Sequence, residues 1–344
     1  MQPVAEDLIL ISTPYGLYAP QGDFYIDPLR PVKRALITHA HSDHARRGSQ
    51  SYYCSEPSVS LLRMRLGESI EVQGFPYGER INFNGLQVSF HAAGHILGSA
   101  QIRIQRDHEV WVVSGDYKRE RDPSCEPFEL VHCDTFISEA TFGTPQYQWS
   151  HSIHHGKAIW DWWQFNSKHG YSSVLFAYSL GKAQRVLAEL YPLISQGVWI
   201  HDSMVNLTQA YRDAGINLAQ TYALMRGQTQ LNENGSLVLI PPGSDMAKKV
   251  LQMKNVKTAF VSGWMQTQYT ARNQSFDHGF VMSDHADWND LNRTIEETRA
   301  RRVFLCHRRN GVLQKYLRKK GIDAHHISSL EMNNREQFLQ LSLF

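Results

Sequence analysis

At 344 residues the chain exceeds what one compact core generally uses, which points to two domains or to one domain carrying a large insertion. A composition of 42% hydrophobic and 20% charged residues excludes a disordered chain, and no apolar run is long enough to span a bilayer. A net charge of +2 removes any bulk electrostatic case for nucleic acid; Cys54, Cys125, Cys133 and Cys306 show neither close-paired zinc spacing nor a disulfide framework. With an N-terminus, "MQPVAEDLIL", that lacks the basic start and apolar run of a secretory signal, a reducing cytoplasm is the expected location, with no membrane partner.

Apolar, β-branched runs ending in polar or glycine residues recur along the chain. In order they are "RALITHAH", "LQVSFHAAGH", "VWVVSGD", "DTFISEAT", "SVLFAYSLG", "GVWIHDS", "SLVLIPPG", "TAFVSG", "GFVMSDHAD" and "RVFLCH". Helical periodicity falls between several of them, as in "GKAQRVLAELYPLI" and "DWNDLNRTIEETRA", so the fold class is α/β. The tryptophans of "AIWDWWQFN" (158–166) resemble a base-stacking platform, but their helical spacing predicts core. His39, His91, His95, Asp116, Glu139, His201, His285 and His307 all fall at or just past a predicted strand end, where a rigid sheet can present side chains to a shared cleft. His91 and His201 are expected bystanders.

The densest chemistry lies in "LITHAHSDHA" (36–45). A chance His-x-His-x-Asp-His is expected roughly twice per thousand chains of this composition. Two histidines two apart at an extended strand tip project to one side, so His39 and His41 can grip one metal. A turn then redirects Asp43 and His44 toward a neighbouring position. Imidazole and carboxylate without thiolate suit zinc, with manganese or iron as alternatives.

These residues resemble the metallo-β-lactamase superfamily. Asp27 in "YIDP" matches its first motif and supports the ligand loop; His95 in "AAGHILGSAQ" and Asp116 in "VVSGDYKRE" match its third and fourth. Beyond them, "ISEATFG" with Glu139, "MSDHAD" with His285 and "VFLCHRR" with His307 resemble motifs A, B and C of the β-CASP nucleases. The compact size and the "SDHADW" and "VSGW" stretches look most like the bacterial DNA-ligase-associated exonucleases. One departure stands out: Arg308 occupies the place where glycine usually follows the motif C histidine.

The resemblance implies an αββα sandwich interrupted by a Rossmann-like β-CASP cap: residues 1–150 and 277–344 form the sandwich, and 151–276 the cap. It implies two divalent metal ions, one held by His39, His41, His95 and Asp116, the other by Asp43, His44, Asp116 and His307. Asp43, His285 and Glu139 are the implied catalytic set, with His285 as proton donor oriented by Glu139. Arg46, Lys182, Ser283 and Arg308 are candidate substrate contacts. The implied function is a 5′ exonuclease on single-stranded DNA in repair, with a DNA ligase and a helicase as candidate partners. The alternatives are an RNA-processing endonuclease or 5′ exoribonuclease, a silent nucleic-acid-binding subunit, and a small-molecule hydrolase. A local run of eight Lys or Arg between Arg301 and Lys320 adds either a phosphate-attracting surface or a solvated helix face.

Overall fold

A computed structural model of the chain describes residues 8–150, 154–224, 235–251, 253–267, 276–306 and 311–330. His307 and Arg308 therefore lie outside the described residues. The first sheet runs β1 (Ile11–Thr13), β2 (Gly16–Ala19), β3 (Phe24–Ile26), β4 (Arg34–Leu36), β5 (Ser51–Ser55) and β6 (Val72–Phe75), in space as in sequence, with α1 (Val59–Leu66) before the last strand. The second begins with β7 (Ile81–Phe83), β8 (Leu86–Ala92), β9 (Ala100–Arg106), β10 (Glu109–Val113) and β11 (Thr135–Ser138). The chain then leaves for a third sheet through α2 (His155–Lys168), β12 (Ser172–Phe176), α3 (Lys182–Leu190), β13 (Val198–Ile200), α4 (Asp202–Asp213) and β14 (Thr221–Ala223). β15 (Leu237–Ile240), α5 (Asp245–Val250), β16 (Val256–Val261) and β17 (His278–Phe280) complete it. After α6 (Trp288–Glu297), β18 (Arg302–Leu305), α7 (Val312–Lys319) and β19 (Asp323–His326) return to the second sheet, ordered β19-β18-β11-β10-β9-β8-β7.

Alternation within strands explains the layers. Leu86, Val88 and Phe90 of β8, Ile102 and Ile104 of β9, and Trp111 and Val113 of β10 face one core, which they share with Phe24, Ile26 and Leu36 of the first sheet. Their neighbours Val112, Phe136, Val303 and Leu305 point the other way, onto Leu291 and Ile295 of α6 and Leu313 and Leu317 of α7. On the outer side of the first sheet, Ala35 and Tyr52 pack with Leu61, Leu62 and Leu66 of α1. The result is the helix–sheet–sheet–helix sandwich expected from the sequence. Each fully buried Leu or Phe in it contributes about 2 kcal/mol relative to exposure.

The third sheet is parallel throughout, in the order β14-β13-β15-β12-β16-β17. Its central strands read as unbroken apolar runs because both faces are covered. Leu175, Leu237 and Leu239 face α2, α3 and α4, whereas Val174, Phe176, Val238 and Ile240 face α5. The sheet runs past the boundary expected at 276, because β17 pairs in parallel with β16, Phe280 opposite Val261. The tryptophans of α2 are core: Trp163 is buried, and Trp160 and Trp162 pack against the same cluster. Among the described residues no helix is long and apolar enough to cross a membrane.

Candidate metal centre

Strand ends deliver the polar groups to one place. His39 and His41 follow β4, His95 follows β8, Asp116 follows β10, Glu139 abuts β11, and His285 follows β17. Tight backbone packing fixes two of these turns. Gly115 (φ +57°) sits so close to Thr38 that an added Cβ would meet its side chain at 2.7 Å, and Gly94 (φ +73°) lies 2.4 Å by the same measure from the Lys118 carbonyl.

The ring nitrogens facing away from the centre are all engaged. His95 Nδ1 donates to the Asp284 carbonyl (2.7 Å), His41 Nε2 to the Leu180 carbonyl (3.2 Å), and His44 Nδ1 to Asp27 Oδ2 (2.7 Å). Thr38 Oγ1 gives its proton to Asp27 Oδ2 (2.6 Å) and so accepts from His39 Nδ1 (3.1 Å). Asp27, held at φ +44°, also takes the Thr38 N–H at 2.8 Å, which makes it the organiser of the loop. These partners leave three bare nitrogens facing inward, Nε2 of His39 and His95 and Nδ1 of His41, with His44 Nε2 turned toward the same place.

Those bare nitrogens crowd together. His41 Nδ1 lies 3.1 Å from both His39 Nε2 and His95 Nε2, and Asp116 Oδ2 lies 3.6 Å from His39 Nε2 and 3.8 Å from His95 Nε2. Burial pushes the pKa values of His39, His41 and His95 down, so the rings are neutral and carry no proton to place between them. Lone pairs this close repel unless a cation sits among them. Tetrahedral ligands on zinc lie about 3.3 Å apart, and the set matches that spacing. The donor set fits a divalent metal.

A second set shares the same carboxylate oxygen. His44 Nε2 lies 3.6 Å from Asp116 Oδ2 and 3.7 Å from the exposed Asp43 Oδ2. Burial opposes charge on His44, but Asp116, Asp27 and Asp43 outweigh it and hold its pKa up to about 10. Three carboxylates around one imidazole make a site that favours a cation. Its expected last member, His307, lies outside the described residues.

Beside the metal sets, His285 Nδ1 donates to Glu139 Oε2 (3.0 Å), while Glu139 Oε1 accepts the Tyr117 N–H (2.7 Å). Burial disfavours charge on His285, but Glu139 and Asp116 prevail and raise its pKa to about 9. This is a charged pair with a fixed ring, whose Nδ1 also lies 3.9 Å from Asp116 Oδ2; Asp116, Glu139 and His285 together form a second group able to hold a cation. His91, held by Ser89 and Glu129, and His201, which caps α4 through Ser203, stand apart as structural residues.

A cleft of about 530 Å³ opens over the centre, lined by Asp43, Arg65, Asp116, Tyr178, Trp264 and His285 among others. The candidate substrate contacts fall unevenly around it. Arg46 is exposed and is not among the lining residues; Arg65, half-buried on the last turn of α1 and donating to the Ala40 carbonyl, lines it instead. Ser283 lines it with its hydroxyl engaged by the His285 backbone (3.0 and 3.1 Å). Lys182 is fully buried, bonded to the Met282 carbonyl and paired with Asp284 Oδ1, both at 2.7 Å. Burial lowers its pKa to about 8, with Asp284 resisting. Burial would raise the Asp284 carboxyl, but Lys182, Lys118 and Arg185 hold it far below the usual range. Arg185 of the same helix reaches the Ser283 carbonyl and Glu120. Thus α3 grips the loop whose Asp284 carbonyl orients His95, a link that no local spacing announced.

No family model matches the chain. Over 313 residues it is 32% identical to a protein of Opitutus terrae described as a probable DNA ligase, covering 90% of this chain and 30% of that one. A ribonuclease of Thermus thermophilus is 29% identical over 147 residues, 35% of this chain and 34% of its own. The chain's relatives include nucleases of the β-CASP group of the metallo-β-lactamase superfamily, which supports the resemblance of this chain to that group. A solved protein of unknown function from Enterococcus faecalis shares the fold, with TM-score 0.56, 11% identity, and coverage of 85% of this chain and 78% of that one. The matched region spans about a third of the length of these two curated relatives. Among the described residues, donor atoms of His39, His41, His95 and Asp116 lie within 4.8 Å of one another, as do those of Asp116, Glu139 and His285.

Proposed function

We propose that the protein is a metal-dependent nuclease that hydrolyses phosphodiesters, acting as a 5′ exonuclease on single-stranded DNA in cytoplasmic DNA repair. One observation carries the reading: the Nε2 atoms of His39, His44 and His95 lie 3.6, 3.6 and 3.8 Å from a single carboxylate oxygen, Asp116 Oδ2, with His41 Nδ1 3.1 Å from Nε2 of His39 and His95 and Asp43 3.7 Å from that of His44. His39, His41, His95 and Asp116 would hold one ion; Asp43, His44, Asp116 and His307 the other, with zinc as the expected metal. Two bound cations supply Lewis acidity, activating water and neutralising charge on the attacked phosphate.

The chain's own residues do the rest. His285, its Nδ1 tied to Glu139, delivers a proton from Nε2 to the departing sugar oxygen, and Glu139 keeps the ring charged and oriented. Arg65 on one wall neutralises a neighbouring phosphate. The sandwich carries the metals, and the third sheet, inserted after residue 150, is the cap.

The DNA reading draws support from the relative described as a DNA ligase, since trimming an end and sealing it are successive operations. A ligase and a helicase are therefore proposed as partners. The ribonuclease relative favours a second reading, RNA processing at the same centre. Incubating the zinc- or manganese-loaded protein with end-labelled single-stranded DNA and RNA of one sequence separates them. Mononucleotide release from the 5′ end of DNA is the expected result; RNA-only digestion selects the second reading, and no release from either defeats both.

A further inference from the structure

The third sheet has a topological switch point above the metal centre. From β12 the chain crosses through α3 toward β13 on one side; from β16 it continues to β17 on the other. In open parallel sheets, such a reversal leaves a crevice at the carboxyl ends of the two strands, where ligands bind. Tyr178 follows β12 and Trp264 follows β16, neighbouring strands in register at Phe176 and Phe260. Both aromatics line the cleft that also holds Asp116 and His285.

The two aromatic residues differ from the buried rings around them. Tyr178 is 51% exposed, its ring resting edgewise on Phe260 with centroids 6.2 Å apart. Trp264 is partly exposed and braced from behind by Phe142 (4.6 Å) and Tyr147 (5.5 Å). That brace is tied to the reacting residues, since Trp149 packs on Phe142 and its Nε1 donates to the His285 carbonyl at 3.1 Å. Beneath, Gly263 presses on Ser283, so that an added Cβ would meet it at 3.0 Å. A rigid, half-exposed π surface thus stands at a fixed place relative to His285.

Several polar groups beside these rings are already engaged among the described residues. Lys182 is engaged by Asp284, the Gly181 N–H by Gln184 Oε1 (2.8 Å), and Ser262 Oγ by the Trp264 N–H (3.2 Å). Such a surface takes any base by its face.

We propose that Tyr178 and Trp264 form a sequence-independent stacking site for one unpaired nucleobase, adjacent to the phosphate held at the metal centre. This deepens the nuclease reading, on which it rests, and makes an unstacked strand end the substrate class. A stacked base contributes on the order of tenfold to a hundredfold in affinity.

The test uses the metal-loaded full chain with the four deoxynucleoside 5′-monophosphates and deoxyribose 5-phosphate, measured by calorimetry. The expected result is a preference of about tenfold or more for every nucleotide over the sugar phosphate. Tyr178→Ala should lose most of that preference, Tyr178→Phe should keep it, and sugar-phosphate affinity should stay constant across all three. Equal binding of nucleotide and sugar phosphate by the parent protein overturns the inference, as does a full preference surviving in Tyr178→Ala. A preference above tenfold for a single base overturns its sequence independence. Because mononucleotides are not cut, absence of strand cleavage strikes the nuclease reading separately.

Discussion

The two walls of the cleft are made of different material. On the sandwich side, histidines and aspartates converge from three strand ends, those of β4, β8 and β10, each ring fixed by a hydrogen bond on its far nitrogen. On the third-sheet side, Tyr178 and Trp264 reach the cleft beside Ser283 and His285, and the charged groups Lys182 and Arg185 are paired with Asp284. The difference separates reaction from recognition: one wall organises charge for chemistry at phosphate, and the other offers flat surface while clamping the first in place. Each wall can be altered alone, which gives the comparison its tests.

The largest effect belongs to Asp116, the carboxylate common to both ligand sets. Asp116→Asn should drop metal content from two ions per chain toward none by mass spectrometry and abolish turnover; two ions retained would mean that the sets are not joined there. Next comes His285→Ala, which removes a group 3.9 Å from Asp116 Oδ2 but none of the proposed ligands. It should keep both ions and lose roughly 10²–10⁴-fold in turnover. Parent-like rates would remove His285 from the chemistry.

On the opposite wall, Lys182→Met removes the 2.7 Å partner of the buried Asp284 and leaves the longer Arg185 contact of 3.5 Å and the more distant Lys118. Unfolding by urea should show a loss of about 3 kcal/mol, and Lys182→Arg should recover part of it. An unchanged midpoint would mean that α3 does not clamp the loop. The smallest effect is expected at the basic run. Arg318 donates to the Ala324 carbonyl at 2.7 Å and Lys320 pairs with Glu296, so both serve the fold. Neutralising Arg318, Lys319 and Lys320 together should leave the salt dependence of DNA binding nearly unchanged. A slope reduced by one or more would restore the run as a phosphate contact.

The same contrast explains what the sequence disclosed. His39, His41, Asp43 and His44 are legible because one turn carries them, and the sandwich is legible because its strands alternate. His95, Asp116, Glu139 and His285 come from distant segments and announce themselves as polar residues ending apolar runs and through their resemblance to family motifs. The recognition wall left fainter marks. Arg46 stands beside the ligand loop in sequence, yet the chain turns it to solvent and brings Arg65 in from α1, some twenty residues on. Lys182 looks like a phosphate lysine after a glycine turn, but its partner Asp284 lies a hundred residues on, beyond any local pattern. Tyr178 and Trp264 are ordinary strand-end aromatics until the sheet order sets them across one crevice, whereas the conspicuous tryptophans of α2 went to the core.

The account depends most on the paired ions around Asp116. An anomalous difference map from crystals grown with zinc should show two peaks flanking Asp116 Oδ2, one contacted by His39 Nε2, His41 Nδ1 and His95 Nε2, the other by His44 Nε2 and Asp43. A single peak, or none, with Asp43 and His44 turned away, would contradict it.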